Sequence, residues 1–293
     1  MKLSTVILPH ERWSGARATW QRAEALGFHA AYTYDHLSWR SFRNSPWFDA
    51  VTTLAAAAGV TERIRLGPLV TSPNFRHPVP LAKAILSLDD LSQGRLVVGI
   101  GSGGGGFDAT VLGGEEWSAR ERSDRFSEFV ERLDQLLTRE VTNEAGPYYP
   151  VRDAVRYPEP LAVPRPPFVV GGYGPKALAV VATHGEGWVT YGAGPGDRHP
   201  TGQAAVADQI ARLDEALAVV GRSPESVERL LLDGLGDERP LVSLDAFVDM
   251  AGRYREIGIT EIVLHWPIPD SLFAADQDVF ERIAVEGLAQ LGT

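Results

Sequence analysis

An α/β barrel of eight βα units is the fold this sequence predicts, and three observations predict it. Short β-branched runs alternate with amphipathic stretches of helical length along the whole chain, the pattern of repeated βα units around a parallel sheet. Eight candidate strands emerge, the number that closes a barrel of this kind. The chain of 293 residues, 44% of them apolar, is large enough for one substantial core, and barrels reach this length as one domain, so residues 1–293 are read as a single domain. Alternation alone does not demonstrate closure, and a doubly wound open sheet stays as the alternative arrangement.

The first strand is Lys2 to Leu8, a short apolar run with one basic residue and no small-residue cleavage site, which reads as a strand and not as a leader. A helix over Gly15–Leu26 leads to the second strand, Ala30 to Tyr34. A helix over Phe48–Ala58 precedes the third strand, Ile64 to Val70. A helix over Pro80–Leu91, with proline at its start, precedes the fourth strand, Leu96 to Ile100. The next helix, Arg120–Thr138, places Phe126, Phe129, Val130, Leu133, Leu136 and Leu137 on one stripe, with charged residues opposite. Residues Asn143 to Pro167 are too rich in proline for a helix. They are expected to form an excursion across the barrel rim between this fourth helix and the fifth strand, anchored by Tyr148, Tyr149 and Val151. The remaining strands are Phe168 to Gly171, Gly187 to Thr190, Arg229 to Asp233 and Glu261 to His265. They alternate with helices over Pro175–Thr183, Gln203–Val220, Leu244–Ile257 and Ala275–Leu291.

Composition narrows the function. There is no cysteine, which excludes disulfides, thiolate nucleophiles and cysteine-ligated metals and fits a reducing, cytoplasmic setting. A formal charge of −10 argues against a nucleic-acid binder, because such proteins present a basic face that releases counterions. No run of about 18 apolar residues is present, so no membrane span is expected. A small molecule is the expected partner.

In a barrel, ligand sites lie beyond the C-terminal ends of the strands. The residue pairs there are Pro9-His10, Asp35-His36, Thr71-Ser72, Gly101-Ser102, Gly172-Tyr173, Tyr191-Gly192, Gly234-Leu235 and Trp266-Pro267. Glycines, hydroxyls, imidazoles and aromatic rings dominate, a set suited to a flat aromatic cofactor. Asp35-His36 is the sharpest titratable pair, since an imidazole at a rim exchanges protons near neutral pH and a carboxylate supports its charged form. The plain alternative has Asp35 capping a turn and His36 packed in the loop. Gly101 to Gly106 follow a strand and let backbone approach a ligand, but the G-x-G-x-x-G match at Gly99, Gly101 and Gly104 opens no helix at once, so a Rossmann reading fails. Gly171-Gly172-Tyr173-Gly174 runs into Pro175-Lys176, which offers either a phosphate site at a helix N-terminus or simply a tight turn. His10, His36 and His265 are spread singly without a His-x-His pair, and no metal site is expected.

Three stretches, from Ile64 to Pro78, from Asp89 through Gln93-Gly94-Arg95 to Gly103, and from Glu121 to Glu128, together resemble the bacterial luciferase-like family of flavin monooxygenases and deazaflavin oxidoreductases. The resemblance continues in order through the proline-rich approach to Phe168, the turn at Gly171-Gly172 and Gly185-Glu186-Gly187-Trp188, which is similar to the family's Asp-Gly-Trp. It implies a (β/α)8 TIM barrel. Asp35-His36 and Trp39 look like the motif of the branch that uses the deazaflavin coenzyme F420. There the carboxylate contacts the deazaflavin and the histidine acts in acid/base transfer. The same branch implies a bulge with a non-proline cis peptide at Leu69-Val70, beside Thr71, supporting the cofactor face.

The resemblance further implies an anionic cofactor tail along Gly101, Ser102 and Gly103 and along Gly171, Gly172, Tyr173 and Gly174, with Lys176 as a cation. The substrate is expected near His10, Trp39, Tyr191 and Trp266. One departure stands out: the branch's sugar-phosphate enzymes carry a catalytic glutamate where this chain has Gly104, which leaves His36 as the main proton carrier, with His10, Tyr191 and His265 in reserve. The expected activity is F420-dependent hydride transfer to or from a small organic substrate, in a homodimer. An FMN-dependent monooxygenase of the same family is one alternative, and a non-catalytic flavin-binding barrel is another.

Overall fold

The computed structural model describes residues 1–192, 202–235 and 238–291. Eight parallel strands form the central sheet: β1 (Lys2–Val6), β2 (Ala30–Thr33), β3 (Arg65–Pro68), β4 (Val98–Gly101), β7 (Phe168–Gly171), β8 (Gly187–Thr190), β9 (Glu228–Leu232) and β10 (Glu261–His265). Their order is β3-β2-β1-β10-β9-β8-β7-β4. Parallel bridges Leu66 to Leu96 and Thr71 to Ile100 join the two ends, so the sheet is a barrel and not an open doubly wound sheet.

Backbone sterics explain where the barrel closes. A Cβ at Gly67 would lie 1.8 Å from the Val97 carbonyl oxygen, and one at Gly99 would lie 2.3 Å from that of Pro68. Only glycine at both positions lets β3 and β4 approach this closely. Past Pro68 the chain steps out of register, the Leu69-Val70 peptide is cis, and pairing resumes where Thr71 N–H donates to Gly99 O at 2.8 Å and Gly101 N–H to Thr71 O at 2.8 Å. The third strand is therefore shorter than the expected Ile64 to Val70.

Helices cover the barrel: α1 (Trp13–Ala25), α2 (Ala50–Ala58), α3 (Pro78–Leu91), α5 (Ala119–Thr138), α6 (Pro175–His184), α7 (Gln203–Val219), α8 (Leu244–Glu256) and α9 (Gln277–Glu286). Several boundaries follow from caps. Asp49 accepts from Thr52 N and starts α2 at Ala50, and Asp276 accepts from Asp278 N and Val279 N and starts α9 at Gln277, in both cases later than expected. His77 caps α3 and starts it at Pro78, earlier than expected. A single turn, α4 (Phe107–Thr110), lies in the loop after β4, where no helix was expected. Between α5 and β7 the chain forms an antiparallel hairpin of β5 (Val141–Glu144) and β6 (Val151–Val155). Tyr149 N–H donates to Glu128 at 2.7 Å and Leu161 N–H to Asp89 at 2.6 Å, holding this segment against α5 and α3.

The core has two layers because successive strand residues face opposite sides. Ala31, Leu66, Phe168, Val170, Ile262 and Leu264 pack outward under the helices. Ala30, Tyr32, Tyr34, Val169, Val189, Leu230 and Val263 fill the barrel interior. Glu261 lies almost fully buried at the interior's N-terminal end, 3.4 Å from the Tyr32 hydroxyl, and burial pushes its carboxyl up to about 7. The folded chain then holds a proton that the unfolded chain releases from about pH 4.5, so stability falls as pH rises toward 7 and levels off above it. Glu261→Gln is expected to remove that slope and to stabilise the protein at pH 8 by about 3 kcal/mol, the equivalent of the shift. Denaturant midpoints at pH 5 and pH 8 check this, and equal pH dependence of both proteins would contradict it. Among the described residues no helix is long and apolar enough to cross a membrane.

Candidate active site

The C-terminal ends of the strands surround a cavity of about 710 Å³. Leu69 and Val70 form one wall, Gly101 to Gly104 and Gly171 to Gly174 adjoin it, and His36, Trp39, Tyr34 and Tyr191 stand around the remainder. Close backbone approach shapes it, since a Cβ at Gly101 would lie 2.6 Å from a Val70 methyl. The turn at Gly172 is pinned from the next strand, where Trp188 Nε1–H donates to Gly172 O at 2.7 Å. The N-terminus of α6 opens at Gly174 with Pro175 as its first residue. Lys176, paired with Asp124, and Arg122 add two cations to this side. Local positive charge is thus present in a chain of net charge −10, where an anionic ligand needs it.

His36 is held by Asp108 of α4. The ring Nδ1 lies 2.5 Å from Asp108 Oδ2, and the other carboxylate oxygen accepts Leu37 N–H at 3.0 Å. A carboxylate can only accept, so Nδ1 carries the hydrogen and Nε2 is the nitrogen available to exchange a proton. The loop is fixed further where Trp47 Nε1–H donates to His36 O at 2.7 Å.

Asp35, the carboxylate expected to work with His36, faces away. Tyr34 points into the barrel, so Asp35 points outward and His36 inward, as alternation on an extended chain requires. Asp35 is 2% exposed and takes a two-pronged interaction from Arg76, with Nε to Oδ2 at 3.0 Å and Nη2 to Oδ1 at 2.6 Å. The same Nη2 reaches Asp49 at 2.7 Å. This network ties the end of β2 to the caps of α2 and the loop before α3, and it takes no part in the cavity wall.

The other expected residues divide along the same lines. His36, Leu69, Val70, Gly101, Ser102, Gly103, Gly171, Gly172, Tyr173, Gly174, Lys176, Trp39 and Tyr191 all line the cavity. Thr71 does not, because its backbone closes the barrel and its side chain is buried. Trp266 follows the inward His265 and so turns outward, where its ring meets Phe280 edge-on at 5.0 Å. His10 packs against Phe42 at 5.7 Å, and burial lowers its pKa. His265, held in reserve as a proton carrier, is excluded from that role because burial lowers its pKa to about 3. Ser72, read at a strand end, and Tyr34 and Arg40, which flank Asp35-His36 and Trp39, line the cavity too, and Asp108, Arg122 and Ser123 belong to the site region without having been expected there.

The luciferase-like monooxygenase family model matches residues 1–232. An F420-dependent glucose-6-phosphate dehydrogenase of Intrasporangium calvum is 34% identical over 215 residues, which cover 72% of this chain and 61% of that protein. One of Beutenbergia cavernae is 32% identical over 317 residues, covering 92% and 90% respectively. An F420-dependent secondary alcohol dehydrogenase, solved with an F420-acetone adduct, shares the fold at a TM-score of 0.80 and 21% identity, over 97% of this chain and 98% of that one. With eight parallel strands closed as a barrel and the family model spanning its first 232 residues, this chain belongs to the luciferase-like monooxygenase family.

Proposed function

We propose that this protein is an F420-dependent oxidoreductase that exchanges a hydride with a small organic alcohol or carbonyl compound. The observation that carries the reading is the His36–Asp108 pair, whose imidazole stands on the wall of a cavity with the apolar side chains of Leu69 and Val70, the glycine turns and the cations of Arg122 and Lys176. Relatives named as F420-dependent dehydrogenases support the choice of cofactor.

The cavity fits such a cofactor. Leu69 and Val70 offer a flat apolar support for a tricyclic ring, and the backbone around Gly101 to Gly103 and Gly171 to Gly174 leaves room for a tail, with Arg122 and Lys176 beside it. When bound, the deazaflavin supplies a two-electron acceptor or donor of hydride. The protein supplies position and the proton. Trp39 and Tyr191 flank the space left for substrate. In alcohol oxidation His36 Nε2 takes the hydroxyl proton, and in carbonyl reduction it returns one. Asp108 fixes the ring and favours the imidazolium that forms after proton uptake.

Anaerobic incubation of the F420-loaded protein with a panel of small secondary alcohols tests the reaction class. Loss of the oxidised cofactor's visible absorbance, with equimolar ketone formed, is the expected result. Product formation only with oxygen and reduced FMN would overturn it in favour of the monooxygenase.

A further inference from the structure

His265 is a deeply buried titratable group near the site that the chemistry above does not use. Its Nδ1 lies 2.6 Å from the Asp233 carbonyl oxygen, which can only accept, so Nδ1 carries the ring hydrogen. A Cβ on Gly234 would come within 2.8 Å of that same nitrogen, so the tight contact needs glycine there. Phe273 stacks on the ring at a centroid distance of 3.9 Å and closes it off from water. Burial keeps the imidazole neutral. Its Nε2 is therefore a permanent acceptor, and the Tyr34 hydroxyl lies 2.8 Å from it.

The consequence falls on Tyr34, which lines the cavity. Its proton is committed to His265, and burial raises its pKa so that it does not ionise. Among the described residues its oxygen has no other hydrogen-bond partner, so the remaining lone pair can only accept. The Tyr34 ring stands 5.9 Å from the His36 ring and 5.3 Å from that of Trp39, beside the group that exchanges the substrate's hydroxyl proton and one of the rings that flank the substrate space.

We propose that Tyr34, with its proton fixed on His265, is a specificity-determining acceptor that selects substrates carrying a hydrogen-bond donor beside the hydroxyl that loses its proton to His36, such as vicinal diols or amino alcohols. The proposal rests on the F420-dependent reading. The reacting hydroxyl has one proton and gives it to His36, so a second donor on the neighbouring carbon is what Tyr34 can receive. A ligand with only acceptors there would meet lone pair against lone pair, which costs affinity.

Protein loaded with reduced F420, which cannot take hydride from either alcohol, is titrated anaerobically with propane-1,2-diol and with propan-2-ol, reading tryptophan fluorescence. The diol is expected to bind about tenfold more tightly, the equivalent of one additional neutral hydrogen bond. In Tyr34→Phe the ratio should fall to about one. His265→Gln, which still offers an acceptor to Tyr34, should keep the preference. His265→Leu frees the phenol proton and should raise the affinity for acetone, measured on protein loaded with oxidised F420, which acetone does not reduce. Equal affinity for the two alcohols in the unmodified protein, or a preference that survives Tyr34→Phe, overturns the proposal. Failure of F420 itself to bind, seen before either alcohol is added, would instead count against the cofactor reading.

Discussion

Replacing His36 with asparagine is expected to lower kcat by about 10²- to 10⁴-fold while F420 affinity changes by less than about threefold. The asparagine side chain is close in size to imidazole and can still meet Asp108, but it takes up no proton in the range where the enzyme works. The cofactor's supports are elsewhere, in Leu69, Val70 and the glycine turns, so binding persists. Single-turnover reduction of bound F420 separates the two effects. Turnover that survives unchanged would remove His36 as the acid/base group, and a parallel loss of F420 binding would make it a cofactor contact instead. A barrel that binds flavin without turnover in the unmodified protein would support the non-catalytic alternative.

The second large effect is expected at Asp108. Asp108→Asn keeps an oxygen that can accept Leu37 N–H, so the loop is not expected to collapse. What changes is the imidazole. An amide nitrogen turned toward Nδ1 would favour the tautomer with the hydrogen on Nε2, the wrong form for accepting a proton, and no negative charge would balance the imidazolium. A loss in kcat of about 10²- to 10³-fold with little change in KM is expected, as for carboxylates that orient a catalytic histidine. Asp35→Asn provides the contrast. Its carboxylate is bound to Arg76 outside the cavity, so that variant should lower the melting temperature while leaving kcat of the folded protein within about twofold. If Asp35→Asn abolished turnover and Asp108→Asn did not, the assignment of the histidine's partner would be reversed.

This exchange of carboxylates shows what was legible in the sequence. All eight barrel strands were recoverable because each is a short apolar run bounded by glycine, proline or polar residues. Strand ends alone put Gly101-Ser102 and Gly172-Tyr173 at one rim, since a barrel presents those ends together, while the part given to Gly101 to Gly103 and Gly171 to Gly174 came from the family resemblance. The glycine at 67, needed for closure, carried no signal until its 1.8 Å approach to Val97 was seen.

Asp35 and Trp266 both face away from the cavity, for one reason that alternation exposes. Tyr32 and Tyr34 face the interior, so Asp35 cannot, and Val263 and His265 face it, so Trp266 cannot. Asp108 had no comparable signal. It sits on a single helical turn after a run of glycines, 72 residues from its partner, where no periodicity exists to be read. The hairpin of β5 and β6 was hidden similarly, because strands of four and five residues inside a proline-rich stretch resemble an irregular loop. The Tyr34–His265 bond joins β2 to β10 across the barrel interior, and such a contact becomes visible only once the barrel is closed.

The most direct measurement of the central claim is a parallel fluorescence titration of the cofactor-free protein with oxidised F420 and with FMN at matched ionic strength. The account requires saturable binding of F420 at one per chain, at least about tenfold tighter than FMN, a difference of about 1.4 kcal/mol. Tighter binding of FMN, or binding of neither, would contradict it.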